Sequence, residues 1–306
     1  MISFERLSLS DKEHYDNYLM NCGERGCEYS FVNLFLWGRQ KAAFLADMLV
    51  LHSQFSRQSV YPFPIGPGDT KAALDAVIDD ALQRGIPCYL TSMSKEDCQL
   101  LETMYPGKFR FHTDRNSFDY VYAIDDLADL KGRKFQKKRN HVNRFWQAHP
   151  HAQILPLNEQ TRAGAFCMLS QWYAHRREID PNNDFHLEEL ALHRAFAFQK
   201  QLELEGLVLL DEGQVIAFAM GSRLNSSTFD IHFEKAREEI DGAYPAINQA
   251  FARHLREKYP DLQWLNREDD LGIEGLRKAK LSYNPDHMIE KYWARLWEDE
   301  DEDQLS

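Results

Sequence analysis

The chain has 306 residues, long for one domain and comfortable for two. Apolar residues make up 43% and charged residues 27%, an ordinary globular balance that excludes disordered, collagen-like and low-complexity classes. Its 36 basic and 48 acidic side chains leave a net charge of −12, a global field that repels nucleic acid and anionic lipid surfaces.

In chain order, the patterning starts with helices at 11–20 and 31–40, then strands at 42–45, 48–55 and 59–62. The stretch YPFPIGPGD breaks the chain and supplies a helix start at Asp69 or Thr70. Residues 70–84 carry Ala73, Leu74, Val77, Ile78, Ala81 and Leu82 at helical spacing, and Gly85 caps them. A strand at 87–92, a helix at 95–105 and a strand at 118–124 complete this half. The second half begins with helices at 159–177 and 187–205. Strands follow at 206–210, 214–221 and 228–234, the first two joined by a hairpin turn at Asp211-Glu212-Gly213. A helix at 244–259, a strand at 263–265, a short helix at 273–281 and a last strand at 288–296 close the chain. The order strand, strand, strand, helix, strand, helix, strand thus occurs twice. We expect a fold duplication of mixed α/β class: a unit at 1–130, a basic connecting helix at 131–150, a second unit at 151–297 and an acidic tail at 298–306.

No apolar run approaches the roughly 18 residues of a membrane-spanning helix, and the N-terminus lacks the basic-then-apolar order of a secretory signal. A cytoplasmic location is expected. Five scattered cysteines without a Cys-x-x-Cys pair argue against a disulfide framework or a four-thiolate zinc site. Two charge runs stand out: EDEDED at 298–303, and KGRKFQKKRNHVNRF at 131–145 with seven Lys or Arg and no acid.

Hairpin strands followed by helix, strand, helix, strand resemble the GNAT acyltransferase order. Two tandem copies are similar to the Fem-type peptidoglycan aminoacyltransferases and to the C-terminal domain of phosphatidylglycerol lysyltransferases. The run from Asn266 to Ala294, NREDDLGIEGLRKAKLSYNPDHMIEKYWA, resembles the lysyltransferase-type ending through Gly275, Leu276, Arg277, Lys278, Lys280, Tyr283, Pro285 and Tyr292. The basic segment resembles an uncharacterised bacterial family grouped with that domain. The membrane-embedded half of the lipid-modifying enzymes has no counterpart in this sequence. The Gly-rich pyrophosphate loop of ordinary acetyltransferases is also missing before Tyr244, where EEIDGAYPAIN offers only Gly242.

On a helix, the basic segment turns Phe135, Val142, Phe145 and Trp146 to one stripe and Arg133, Lys137, Asn140 and Arg144 to another, with Lys134, Lys138 and His141 beside them. The cationic stripe suits a phosphate-bearing partner such as a nucleotide pyrophosphate, tRNA or a lipid headgroup; it also suits a solvated linker paired with neighbouring acids. In DIHFE, strand alternation puts Asp230, His232 and Glu234 on one face. Glu234 is the candidate base for acyl transfer, with Asp230 or His232 as substitutes. His232-x-Glu234 lacks a third ligand in the sequence, so no metal is expected. Gly242 and Tyr244 open a helix whose free N–H groups suit phosphate or an oxyanion, and Tyr244 is a candidate donor to a leaving group. Asn266, Glu268 and Asp270 end a strand, where ligands of α/β units sit, and suit a cationic aminoacyl group. Arg277, Lys278, Lys280 and Tyr283 follow and would hold the donor's phosphate or the tRNA end. Each of these clusters also has a plain reading as exposed strand face, turn or helix cap.

The expectation is an acyl- or aminoacyl-transferase taking acyl-CoA or aminoacyl-tRNA as co-substrate and an amine or hydroxyl acceptor on a small molecule, peptide or lipid headgroup. The alternative is a non-catalytic module binding tRNA or a nucleotide-like ligand. No Gly-x-Ser-x-Gly, Walker loop or dinucleotide fingerprint occurs, which removes hydrolase, kinase and Rossmann readings.

Overall fold

A computed structural model describes residues 1–20, 22–38, 40–55, 58–181 and 184–297; the acidic tail at 298–306 lies outside the described residues. The chain divides into two compact units. The first comprises Met1–Asp119, Asp269–Ile273 and the chain from Met288 on; the second comprises Tyr120–Glu268 and Glu274–His287.

The first unit begins with β1 (Glu5–Arg6), α1 (Lys12–Leu19) and α2 (Phe31–Trp37), then β2 (Gln40–Leu45), β3 (Met48–Phe55) and β4 (Gln58–Pro62). It continues with α3 (Thr70–Arg84), β5 (Tyr89–Met93), α4 (Lys95–Met104) and β6 (Phe109–Thr113). Asp69 caps α3 by accepting from the Ala72 amide, and Gly85 ends the helix in the left-handed region. The apolar face of α3 (Ala73, Leu74, Val77 and Ala81) packs on Val50, Tyr61 and Leu90 of the sheet. Burial of each large aliphatic side chain there contributes about 1.5–3 kcal/mol.

The second half supplies β7 (Asp119–Ala123), α5 (Ile124–Asp129), α6 (Gln136–Ala148), β8 (Gln153–Pro156), α7 (Glu159–Ile179) and α8 (His186–Ala197). Then come β9 (Glu205–Asp211), β10 (Gln214–Arg223), β11 (Thr228–Ala236), α9 (Ala243–Lys258), β12 (Trp264–Asn266), α10 (Glu274–Leu281), β13 (His287–Ile289) and β14 (Tyr292–Leu296). The two seven-stranded mixed sheets run β1-β2-β3-β4-β5-β14-β6 and β13-β7-β12-β11-β10-β9-β8. The expected β9–β10 hairpin closes through Glu212 and Gly213, both at positive φ as a tight primed turn requires.

Three expectations need correction. The strand at 118–124, assigned to the first unit, is β7, and it pairs antiparallel with β12 of the second sheet. The single strand expected at 288–296 is two strands in different sheets. It breaks at Glu290 and Lys291 because Lys291 turns inward, its ammonium 2.6 Å from both Glu28 Oε2 and Asp119 Oδ1. β14 then inserts between β5 and β6 of the first sheet. Third, the basic segment is no free linker. Phe135 and Val142 pack with Leu130 in a small core, and Trp146 leans on it, which makes α6 part of the second unit.

Candidate functional site

The site grows from a β11–α9–β12 crossover. β11 and β12 pair in parallel only over Thr228–Asp230 against Trp264–Asn266. β11 then runs on to Ala236, held by β10 alone, so the sheet parts beyond Asp230. Carboxyl ends of parallel strands are where α/β units place ligands, because the connecting helix turns its N-terminus there.

Arg267 follows β12 directly and spans the parting: its guanidinium lies 3.0 Å from Glu234 Oε1. The other Glu234 oxygen accepts from Asn248 Nδ2 of α9 at 2.8 Å. Each oxygen of the expected base thus already has one partner, and Glu234 ties Arg267 to α9. The Tyr283 and Tyr122 rings flank the guanidinium at 4.8 Å and 5.6 Å. Burial opposes the Arg267 charge, but Glu234 and the two phenols more than offset it and hold the charge on. Tyr122 donates to the Lys280 carbonyl, and the Lys280 ammonium donates to the Arg267 carbonyl, so Lys280 braces the loop from behind.

Lys138 enters this cluster from α6, its ammonium 3.8 Å from the centre of the Tyr283 ring. Desolvation, reinforced by the neighbouring Arg267 charge and opposed by Glu234, lowers its pKa to about 8. Two buried polar atoms of this cluster, Arg267 Nη1 and Asn248 Oδ1, have no hydrogen-bond partner among the described residues. Tyr244, at the start of α9, is half-buried, and burial pushes its phenol up to about 12, so it stays protonated at neutral pH.

The exposed face of α6 carries Lys137, Asn140 and Arg144, as the helical stripe predicted, while Arg133 is exposed on a 3-10 turn at 133–135 that precedes the helix. Lys137, Asn140, His141, Asn143 and Arg144 line an open depression of about 510 Å³. Some of the segment is internally neutralised: Lys134 pairs with Asp126 at 2.7 Å, and Asp241 faces both His141 and Arg144.

The α9 N-terminus is covered. Gly242 sits at φ 85°, and a Cβ there would lie 2.6 Å from the His141 carbonyl and 2.9 Å from Phe145 Cβ. Helix α6 thus packs closely on the residue that precedes α9.

Asp230 and His232 do not join Glu234. They form a separate cluster with Glu268, whose Oε1 lies 3.4 Å from His232 Nδ1, and with Ser222, whose Oγ lies 2.8 Å from Nε2. Glu268 is the third group that the sequence alone did not reveal beside His232. Asn266 is buried, and its side chain accepts from the Glu268 amide and shapes the turn. Asp270 belongs to the first unit, where Arg115 approaches it at 3.6 Å. Lys278 lies on the exposed face of α10 and pairs with Glu274; Arg277 is half-buried on the same helix. The expected single pocket from Asn266 to Lys280 is therefore divided, because the residues fall alternately on the turn, on the helix surface and behind the loop.

Asn248, Tyr122 and Ser222 do not figure among the candidates read from the sequence. Asn248 lies one helical turn after Tyr244 on an otherwise apolar face, which is a readable signal. Tyr122 and Ser222 sit in apolar strands and carry none.

The sequence profile described as phosphatidylglycerol lysyltransferase, C-terminal, matches residues 20–295. A conserved protein of unknown function from Bacteroides thetaiotaomicron is 38% identical, with a TM-score of 0.91 over 97% of this chain and 100% of that one. L-PGS from Bacillus licheniformis superposes with a TM-score of 0.67 at 16% identity, over 96% of this chain and 93% of that one. An uncharacterised protein of Mycoplasmoides gallisepticum is 27% identical over 184 residues, 59% of this chain, and the match spans only 57% of that relative's length. The fold is the expected tandem GNAT-like one. No helix among the described residues is long and apolar enough to cross a membrane. With the profile running almost from end to end, the chain belongs to the phosphatidylglycerol lysyltransferase C-terminal family.

Proposed function

We propose that this chain is an aminoacyltransferase that moves an aminoacyl group from aminoacyl-tRNA to an amine or hydroxyl acceptor. The observation that carries the reading is the double face of α6. The helix turns Lys138 onto the Tyr283–Arg267–Glu234 cluster and keeps Lys137, Asn140 and Arg144 outward, with Arg133 exposed on the turn just before it. One helix then holds the polyanionic donor and supplies a group to the reacting end. Two further facts support it: the family description names lysyl transfer, and the covered α9 N-terminus favours tRNA over acyl-CoA as donor.

In this scheme the acceptor nitrogen or oxygen attacks the ester carbonyl carbon of the donor. Its proton passes to neutral Lys138 Nζ, while Arg267 Nη1 donates to the oxygen on which charge develops. The carbonyl reforms as the ribose oxygen of tRNA departs, taking a proton from the Lys138 ammonium or from Tyr244. Glu234 and Asn248 hold Arg267 in place. The acceptor is a small molecule, a peptide or a lipid headgroup, and a tRNA donor implies work in the cytoplasm.

The test is transfer from a mixed pool of radiolabelled aminoacyl-tRNAs to candidate acceptors, run beside acyl-CoA donors. Lys138→Met and Arg267→Gln are each expected to lower transfer by about 10²-fold or more. Transfer from acyl-CoA and none from aminoacyl-tRNA, or parent-rate transfer by Lys138→Met, would overturn the proposal.

A further inference from the structure

Two groups of potential metal ligands converge among the described residues: Cys27, Glu28 and Asp119 in the first unit, and Asp230, His232 and Glu268 in the second. In the first, the cation position is filled by the chain itself. Lys291 Nζ stands 2.6 Å from each carboxylate and 3.8 Å from Cys27 Sγ. That group is a structural ion pair.

The second group is built differently. Asp230 and His232 project from the same face of β11, two residues apart, and Glu268 reaches them from the turn after β12. The His232 side chain is 1% exposed and that of Asp230 0%, so the donors are withdrawn from bulk water. The imidazole is aimed by Ser222: Oγ stands 2.8 Å from Nε2, which leaves Nδ1 turned to the carboxylates. A hydrogen-bonded partner on the far ring nitrogen is what fixes the tautomer and ring orientation of a metal-ligating histidine. An imidazole among the donors points to a zinc-class ion rather than to an all-oxygen one, and the spacing agrees with it. His232 Nδ1 lies 3.5 Å from Asp230 Oδ2 and 3.4 Å from Glu268 Oε1. Those contacts are long for hydrogen bonds. On a tetrahedral ion with bonds of about 2.1 Å, neighbouring ligand atoms are separated by about 3.4 Å.

We infer that Asp230, His232 and Glu268 form a three-ligand site for a zinc-class divalent cation, with Ser222 as the positioning residue on the histidine. Three protein ligands leave a fourth position for water or a substrate oxygen, the pattern of an open rather than a closed zinc centre. The turn that presents Glu268 is braced for the task, with Glu268 at φ 57° and its amide bound by Asn266. This inference is independent of the transfer reaction proposed above, and its readout is metal binding rather than turnover.

The experiment treats the full chain with chelator and titrates it with Co²⁺, a spectroscopic substitute for Zn²⁺, following visible d–d absorption and then competition by Zn²⁺. Stoichiometric binding with the intense bands of four-coordinate cobalt, displaced by Zn²⁺, is the expected result. Ser222→Ala should weaken affinity about 10–100-fold, and Glu268→Gln and His232→Ala should abolish the stoichiometric site. The Glu268 side chain is 27% exposed, so Glu268→Gln should fold even where His232→Ala does not; circular dichroism confirms this. Absence of stoichiometric binding in the parent chain, or affinity undiminished in Glu268→Gln, overturns the inference.

Discussion

Lys138 offers the sharpest test of the proposed chemistry, because its charge is set by two neighbours that pull in opposite directions. Desolvation against the Tyr283 ring comes first, Arg267 second, and Glu234 opposes both; together they lower the ammonium from 10.5 to about 8. At pH 7 about one molecule in ten then carries neutral Lys138, and at pH 8 about half, since one pH unit is a tenfold change in ratio. A reaction that needs the neutral amine should rise about tenfold per unit below that point and level off above it. Arg267→Gln removes the repelling charge and frees Glu234 to favour the ammonium, so the inflection should move upward toward 10.5. Glu234→Gln removes the one stabilising neighbour, so it should move below 8. The shift can be measured without a substrate: competitive acylation of amines by a small anhydride across pH, with Lys138 read by peptide mass spectrometry. Shifts in the same direction for both variants, or an inflection near 10.5 in the parent chain, would refute the reasoning.

The remaining predictions concern other parts of the molecule. Lys291→Met leaves the carboxylates of Glu28 and Asp119 facing each other without their cation, and should cost about 3–5 kcal/mol in urea unfolding. Lys291 itself is held well above its ordinary value; burial opposes its charge, but Asp119 leads the groups that outweigh that cost. The ion pair therefore stays intact up to high pH, and its contribution should not fade between about pH 6 and 9 in thermal melts. Gly242→Ala places a Cβ 2.6 Å from the His141 carbonyl in a left-handed conformation and should cost about 1–3 kcal/mol, read as a lower Tm. Lys137→Ala with Arg133→Ala should weaken tRNA binding and reduce the slope of log affinity against log salt by about 0.7–0.9 for each phosphate that is no longer neutralised. An unchanged slope would show that the exposed face of α6 does not carry the tRNA. Liposome flotation should show no stable binding to anionic vesicles, given the net charge of −12.

Much of the architecture is local physics, and there the sequence suffices. The period of apolar residues in α3, its Asp69 cap and its Gly85 stop place that helix to the residue. The amphipathic reading of α6 is equally local: Val142 and Phe145 go inward and Lys137 and Arg144 outward. The family resemblance lay in such short-range features too. What the sequence could not decide is which partner each strand chooses. Apolar residues in β7 and β14 say that a strand forms, not in which sheet, since the pattern is the same whichever neighbour supplies the hydrogen bonds. β7 joins the second sheet and β14 the first, against the linear order of the chain. The same limit divides the polar clusters. Asp230, His232 and Glu234 share one strand face, yet Glu234 meets Arg267, while His232, nearer the point where β11 and β12 part, meets Glu268 and Ser222. Alternation along one strand fixes a direction; only the divergence of two strands distant in sequence separates an anchored arginine from a buried histidine with two carboxylates.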